Sequence, residues 1–197
     1  LKISKDPTAA LAQLDALGQG ADCVLGHNLI DHDLPLLKSQ APQLALHDLA
    51  VVDTLRLSPL AFPKNPYHRL IKDYKLIRES LNSPLGDCRS TLTLFQDQQA
   101  AFADLKLMNV RELLCYQTLI AAKGSDLESI FQSITQTPEL SLEGLRAAIM
   151  QLLVETDPAF KRKYKVCQTR LFSLLENDLE RDELRWPHAY ALAWLRV

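Results

Sequence analysis

The chain has 197 residues, 47% of them hydrophobic, and its 22 Lys and Arg against 24 Asp and Glu give a formal net charge of −2. This composition suits a soluble globule with one good core or two small ones, and it argues against a uniformly basic nucleic-acid coat while leaving room for a local basic groove. No apolar run reaches the roughly 20 residues of a membrane helix, and the N-terminus lacks a basic segment leading into an apolar one. Cys23, Cys88, Cys115 and Cys167 lie far apart without metal-ligand spacing. We read them as small core residues of a protein in a reducing compartment, the cytoplasm by default. The chain begins at Leu1 rather than Met, so an excised or processed piece is expected.

In chain order, Asp6 and Pro7 predict a helix cap and first helical position, with Ala10, Leu11, Leu14 and Leu17 following at helical spacing and Gly18 as the stop. Asp22 to Gly26 predicts a short buried strand, and Gly26 lets another group approach its backbone. Asp33 is expected to cap a helix that holds Pro35 in its first turn and runs to about Gln40. Leu49 to Thr54, centred on Val51 and Val52, predicts a second strand. Asn28 and Asp33 therefore fall at one sheet edge. Carboxylates where strands end and helices begin are typical of ligand sites in α/β folds, and an Asp before an apolar run is also an ordinary helix cap.

Pro59, Pro63 and Pro66 interrupt the next stretch, and the local charge turns positive through Lys64, Arg69, Lys72, Lys75 and Arg78. Tyr67 and Tyr74 lie among these cations. Basic residues mixed with aromatics hold phosphates and stack bases, or else form a solvated loop whose tyrosines anchor in the core. Ser83 as cap and Pro84 at the first position predict a helix with Leu85, Cys88, Leu92 and Phe95 as its buried stripe and Asp87 at the stripe's margin. After about Gln98 the periodicity is helical throughout, and the composition boundary falls near Ala103. Helices are expected over Leu107 to Ala121, after a capping box of Ser125 and Glu128, after Ser141, from Asp157-Pro158, and after Pro187. No fixed-period repeat occurs, which points to a helical bundle.

Gly-His-Asn-x4-Asp at 26 to 33, Val-Val-Asp-Thr at 51 to 54 and Leu-Gly-Asp-Cys-Arg at 85 to 89 together resemble the later motifs of the DnaQ-like, or DEDD, 3'-5' exonucleases. The stretch from Tyr67 to Phe95 is similar to exonuclease domains joined to RecQ-like DNA helicases in bacteria. The resemblance, which covers about the first half, implies a partial ribonuclease H-like fold over residues 1–103; with the helical periodicity that follows, the chain is expected to be α/β and helix-rich overall, with an all-α helical bundle or linker over 104–197. It implies Asp33 and Asp87 as ligands of Mg²⁺ or Mn²⁺, Asn28 as a residue that orders the site, and His27 beside it. Two divalent ions held by carboxylates activate water and stabilise the leaving oxygen in phosphodiester hydrolysis. A nucleic-acid strand, DNA or RNA, is expected against His27, Lys64, Tyr67, Arg69, Lys72, Tyr74 and Lys75, with a fused helicase as the expected partner module and no membrane.

The chain departs from the family pattern at two places. The first motif, Asp-x-Glu on an upstream strand, is absent before residue 28; Asp126-Leu127-Glu128 and Asp178-Leu179-Glu180 match its letters but lie in helical sequence. Asn82 occupies the position, five before Asp87, where many members carry a water-activating histidine, and Asn cannot serve as a general base. His68 on the basic loop is the candidate substitute if that loop folds over the site. Three readings follow: a metal-dependent 3'-5' exonuclease domain that is weak or inactive without its first motif, an exonuclease-like scaffold serving as a nucleic-acid or protein interaction module, and a structural connector whose helices only position neighbouring domains.

Overall fold

The computed structural model describes residues 6–68, 84–121, 123–155, 165–173 and 182–197. Helix α1 (Pro7–Gly18) starts as its sequence predicts, with the Thr8 N–H donating to Asp6 Oδ1 at 3.0 Å. It leads to β1 (Cys23–Gly26), a π-helical turn (Leu29–Asp33), α2 (Leu34–Gln40), a 3-10 turn (Ala45–Asp48) and β2 (Ala50–Asp53). The strands pair in parallel from Cys23 opposite Ala50 to Gly26 opposite Asp53. Parallel neighbours need a crossover, which α2 and the 3-10 turn supply. Both strands consequently end side by side. Ala41, Leu44 and Leu46 form a small core beneath this unit, with Leu11, Val24 and Leu34 packed against it.

β2 passes straight into α3 (Thr54–Ala61), and α4 (Pro84–Ile120) then crosses the composition boundary near residue 103 without a break. Its interruption comes later, at Asn109 (φ −153°, ψ 75°), where the Asn109 side-chain oxygen accepts the Glu112 N–H at 3.2 Å and restarts the helix.

The stripe expected on α4 is corrected. Leu85 and Leu92 are 60% and 50% exposed, Cys88 is exposed and Phe95 is half-buried; the inner line is Thr91, Leu94, Gln98, Phe102 and Leu105. Two of these positions are polar, so hydropathy concealed them. Their donors have partners inside: the Gln98 amide N–H groups donate to the Thr54 carbonyl and to Ser58 Oγ, both at 2.8 Å. Thr91 Oγ1 donates to the Asp87 carbonyl at 2.9 Å. Asp87, one turn before Thr91, is half-buried at the margin of this line.

α5 (Glu128–Thr135), α6 (Leu142–Glu155), α7 (Lys165–Ser173) and α8 (Arg185–Ala193) follow, the last flanked by 3-10 turns at Asp182–Leu184 and Trp194–Arg196. Ser141 caps α6 as expected, taking the Gly144 N–H at 3.1 Å. The capping box does not form: α5 begins after Leu127, and the Glu128 carboxylate reaches back to the Gly124 N–H at 2.6 Å. α8 starts two residues before Pro187, which is tolerated there because first-turn N–H groups have no intrahelical acceptor. One buried cluster joins Val52 and Leu57 to Phe102 and Leu113 of α4, Phe131 of α5, Ile149 of α6, Leu171 of α7 and Leu192 of α8. The chain is thus helix-rich with a small parallel sheet.

The chain end is tied into α4. Arg196 Nε lies 2.7 Å from Glu112 Oε1, its guanidinium also donates to the Leu60 carbonyl, and Tyr116 Oη donates to the same Glu112 carboxylate. Glu112 is 3% exposed and Tyr116 fully buried. Burial pushes the Glu112 carboxyl up, with the Arg196 charge and the Tyr116 hydrogen bond opposing it. Of the cysteines expected in the core, Cys115 is buried, its thiol pushed up to about 12 by that burial, while Cys23 and Cys88 are exposed. Among the described residues no helix is long and apolar enough to cross a membrane.

Candidate functional site

The residues that organise the sheet edge converge on Asp53. Its side chain is 3% exposed and caps α3, taking the Leu55 N–H on Oδ1 at 2.9 Å. The same Oδ1 takes the Asn28 N–H at 2.9 Å and Oδ2 takes the Ile30 N–H at 3.1 Å. One carboxylate thereby satisfies three donors, two of them on the neighbouring strand's exit turn. Hydrogen bonds to a charged acceptor contribute about 1.5–3 kcal/mol each. Asn28 is left-handed (φ 63°, ψ 29°), a conformation that short polar side chains tolerate. The sharp exit brings Leu29 back over Gly26, where a Cβ would stand 2.8 Å from Leu29 Cβ.

Thr54 provides a second tie. Its hydroxyl donates to the Gly26 carbonyl at 3.1 Å, and His27 Nδ1 lies 2.9 Å from Thr54 Oγ1. A hydroxyl has one proton, so the imidazole must donate through Nδ1–H, which leaves Nε2 as an acceptor in the neutral ring. Burial pushes the His27 pKa down, with the Asp53 charge acting the other way.

Asp33, expected as a cap, makes no capping hydrogen bond: it has helical backbone angles and closes the π-helical turn, since that turn continues directly into α2. Its carboxylate is exposed at 3.4 Å from His32 Nδ1. Asp87 is half-buried in the first turn of α4. Among the described residues, no three His, Cys, Asp or Glu side chains group as a metal site. Lys64 and Tyr67 are exposed on the segment after α3, the Tyr67 N–H bonded to Asn65 Oδ1 at 3.2 Å. Arg69, Lys72, Tyr74 and Lys75, together with Asn82, lie outside the described residues.

His68 is half-buried, with Nδ1 enclosed and unbonded, and burial pushes its pKa down. It lines an open cleft of about 700 Å³ between the π-helical turn, α3 and α8, whose other walls include Asp31, Arg56, Trp186 and Tyr190. The sequence marks Asp53 as a strand end and as part of the Val-Val-Asp-Thr motif, without a role in the site, and does not mark Arg56 or the two aromatics. Asp53-Thr54 ahead of an apolar helix carries the usual capping signal; nothing local marks Trp186 or Tyr190, which arrive from over a hundred residues away. Compared with family models, curated proteins and solved structures, the chain matches none.

Proposed function

We propose that this chain carries a metal-dependent 3'-5' exonuclease domain acting on DNA, part of a larger DNA-processing protein such as an exonuclease–helicase fusion, with a partial ribonuclease H-like fold in its first half. The observation that carries the reading is the side-by-side ending of the two motif-bearing strands, Gly26 opposite Asp53, with the Asp53 carboxylate holding the Asn28 and Ile30 amides. Two sequence motifs named for one chemistry thus share a single hydrogen-bonded unit.

Asp33 and Asp87 offer hard oxygen donors from separate helices, and Mg²⁺, which keeps several waters, is satisfied by one or two carboxylates. Bound there, such ions would supply an activated water and charge stabilisation for the leaving oxygen. The chain's own residues do the rest: Asp53 fixes the turn that leads to Asp33, neutral His27 keeps a lone pair on Nε2, and Lys64 and Tyr67 begin the basic, aromatic stretch that would receive the strand.

The test compares this chain with a form extended upstream to include an Asp-x-Glu strand, following Mg²⁺-dependent trimming of 5'-labelled single-stranded DNA, with an RNA of the same sequence alongside. Trimming by the extended form, abolished by Asp33→Asn and by Asp87→Asn, is the expected result. DNA binding that ignores chelator and both of those changes, yet weakens with Lys72→Glu plus Lys75→Glu, would instead establish the non-catalytic interaction module that Asn82 favours.

A further inference from the structure

We infer that the last helix, α8, positions the π-helical turn that carries Asp33, acting through Arg56; the inference rests on the reading of Asp33 as a metal ligand. Arg56 stands in the middle of a chain of contacts. Its Nη2 donates to Asp31 Oδ1 at 3.1 Å, its guanidinium lies 6.0 Å from the centre of the Trp186 ring, and its carbonyl accepts the Tyr190 hydroxyl at 3.1 Å. Trp186 and Tyr190, one helical turn apart, face each other at 5.8 Å and 43°, so α8 presents them as one block. α8 is itself anchored, because Arg196 just beyond it is bound to Glu112 and to the Leu60 carbonyl.

The turn has reason to need this support. A π-helical turn is rarer than an α-helical one and survives where the surroundings hold it. Asp53 holds its beginning through the Asn28 and Ile30 amides. Past Ile30 the polar tie runs through Asp31, two residues before Asp33, and Leu34 beyond it packs on the small core. Asp31 is exposed and Arg56 is partly so, and the cleft lets water reach the pair. An ion pair of that kind changes a local equilibrium by only a few-fold, and stacking on Trp186 adds a similar factor, so the whole latch is expected to matter by roughly five- to tenfold. That is enough to set how tightly a neighbouring carboxylate is held without deciding whether the protein folds.

The test is amide hydrogen exchange over residues 29–34 of the full chain, with Mn²⁺ affinity read from the electron-spin signal of free Mn²⁺. Trp186→Ala is expected to raise exchange over 29–34 and to weaken Mn²⁺ binding, each by roughly two- to threefold, since the Arg56–Asp31 ion pair remains, while the Leu55 amide held by Asp53 is unchanged. Asp31→Asn, an exposed change that leaves the core intact, should raise exchange in the same segment, and Arg56→Lys, which keeps the charge but loses the flat stacking group, should fall between. Exchange over 29–34 that stays at the original rate in both Trp186→Ala and Asp31→Asn overturns the inference, as does a uniform rise along the whole chain. If Asp33→Ala leaves Mn²⁺ binding unaltered, the metal reading fails and the exchange data still judge the latch. If Asp33→Ala weakens Mn²⁺ binding and Trp186→Ala does not, the latch fails and the metal reading stands.

Discussion

Asp53 and Glu112 are both 3% exposed, and the molecule satisfies these two buried carboxylates by different means. Asp53 is surrounded by backbone: the amides of Asn28, Ile30 and Leu55 all donate to it. Glu112 is surrounded by side chains, the Arg196 guanidinium and the Tyr116 hydroxyl. The first arrangement fixes local geometry, since it exists only when the exit of β1 folds back onto β2. The second fixes where the chain end lies relative to α4. Amide donors on a rigid turn are already oriented, whereas a guanidinium on a long side chain must be brought in from a segment distant in sequence, so the two regions should fail differently when disturbed.

The largest effect is expected where a buried charge loses the cation paired with it. Arg196→Ala should cost about 3–5 kcal/mol in urea unfolding near neutral pH, because an uncompensated carboxylate remains inside. Its pH dependence sharpens the contrast. Burial holds the folded Glu112 pKa above its ordinary 4.5, so the folded protein binds that proton more readily, and the group's stabilising contribution is full below 4.5 and lost as pH rises through the raised value. Arg196 opposes that rise; removing it pushes the pKa further up, so the Arg196→Ala deficit should shrink between about pH 7.5 and about pH 5.

Asp53→Asn turns a donor toward amides that need an acceptor, and a loss of about 2–3 kcal/mol is expected, with exchange rising first at Asn28 and Ile30. Gly26→Ala sets a methyl group against Leu29 in the same turn and should cost about 1–2 kcal/mol by thermal unfolding. Tyr116→Phe removes one hydrogen bond to Glu112 while leaving the ion pair, for a loss of about 1 kcal/mol. If it matched Arg196→Ala instead, the phenol rather than the guanidinium would be the main support of that carboxylate.

The contrast also separates what could be read from the chain from what could not. β1, β2 and the cap of α1 were legible because short apolar runs and an Asp-Pro pair speak for themselves locally. The inner line of α4 was not, because Thr91 and Gln98 are polar and are buried only where Thr54 and Ser58 meet them from another element. Asp33 was misread as a cap for a related reason: whether a turn closes as π or α depends on what grips it, here Asp53 and Arg56. Of the candidate site, the residues of the β1 exit were visible in sequence, while Asp53 as their shared acceptor required knowing that two strands 27 residues apart lie in register.

The break at Asn109 has an electrical consequence for the second carboxylate. Where a helix restarts, its first N–H groups point outward unpaired and give that end about half a positive charge. Glu112, three residues after Asn109, sits within this first turn. In an unbroken α4 it would lie mid-helix, where the axial field largely cancels. The break therefore places the buried Glu112 carboxyl in the first turn of a new helical segment, on the positive side of its backbone dipole, a contribution separate from that of Arg196.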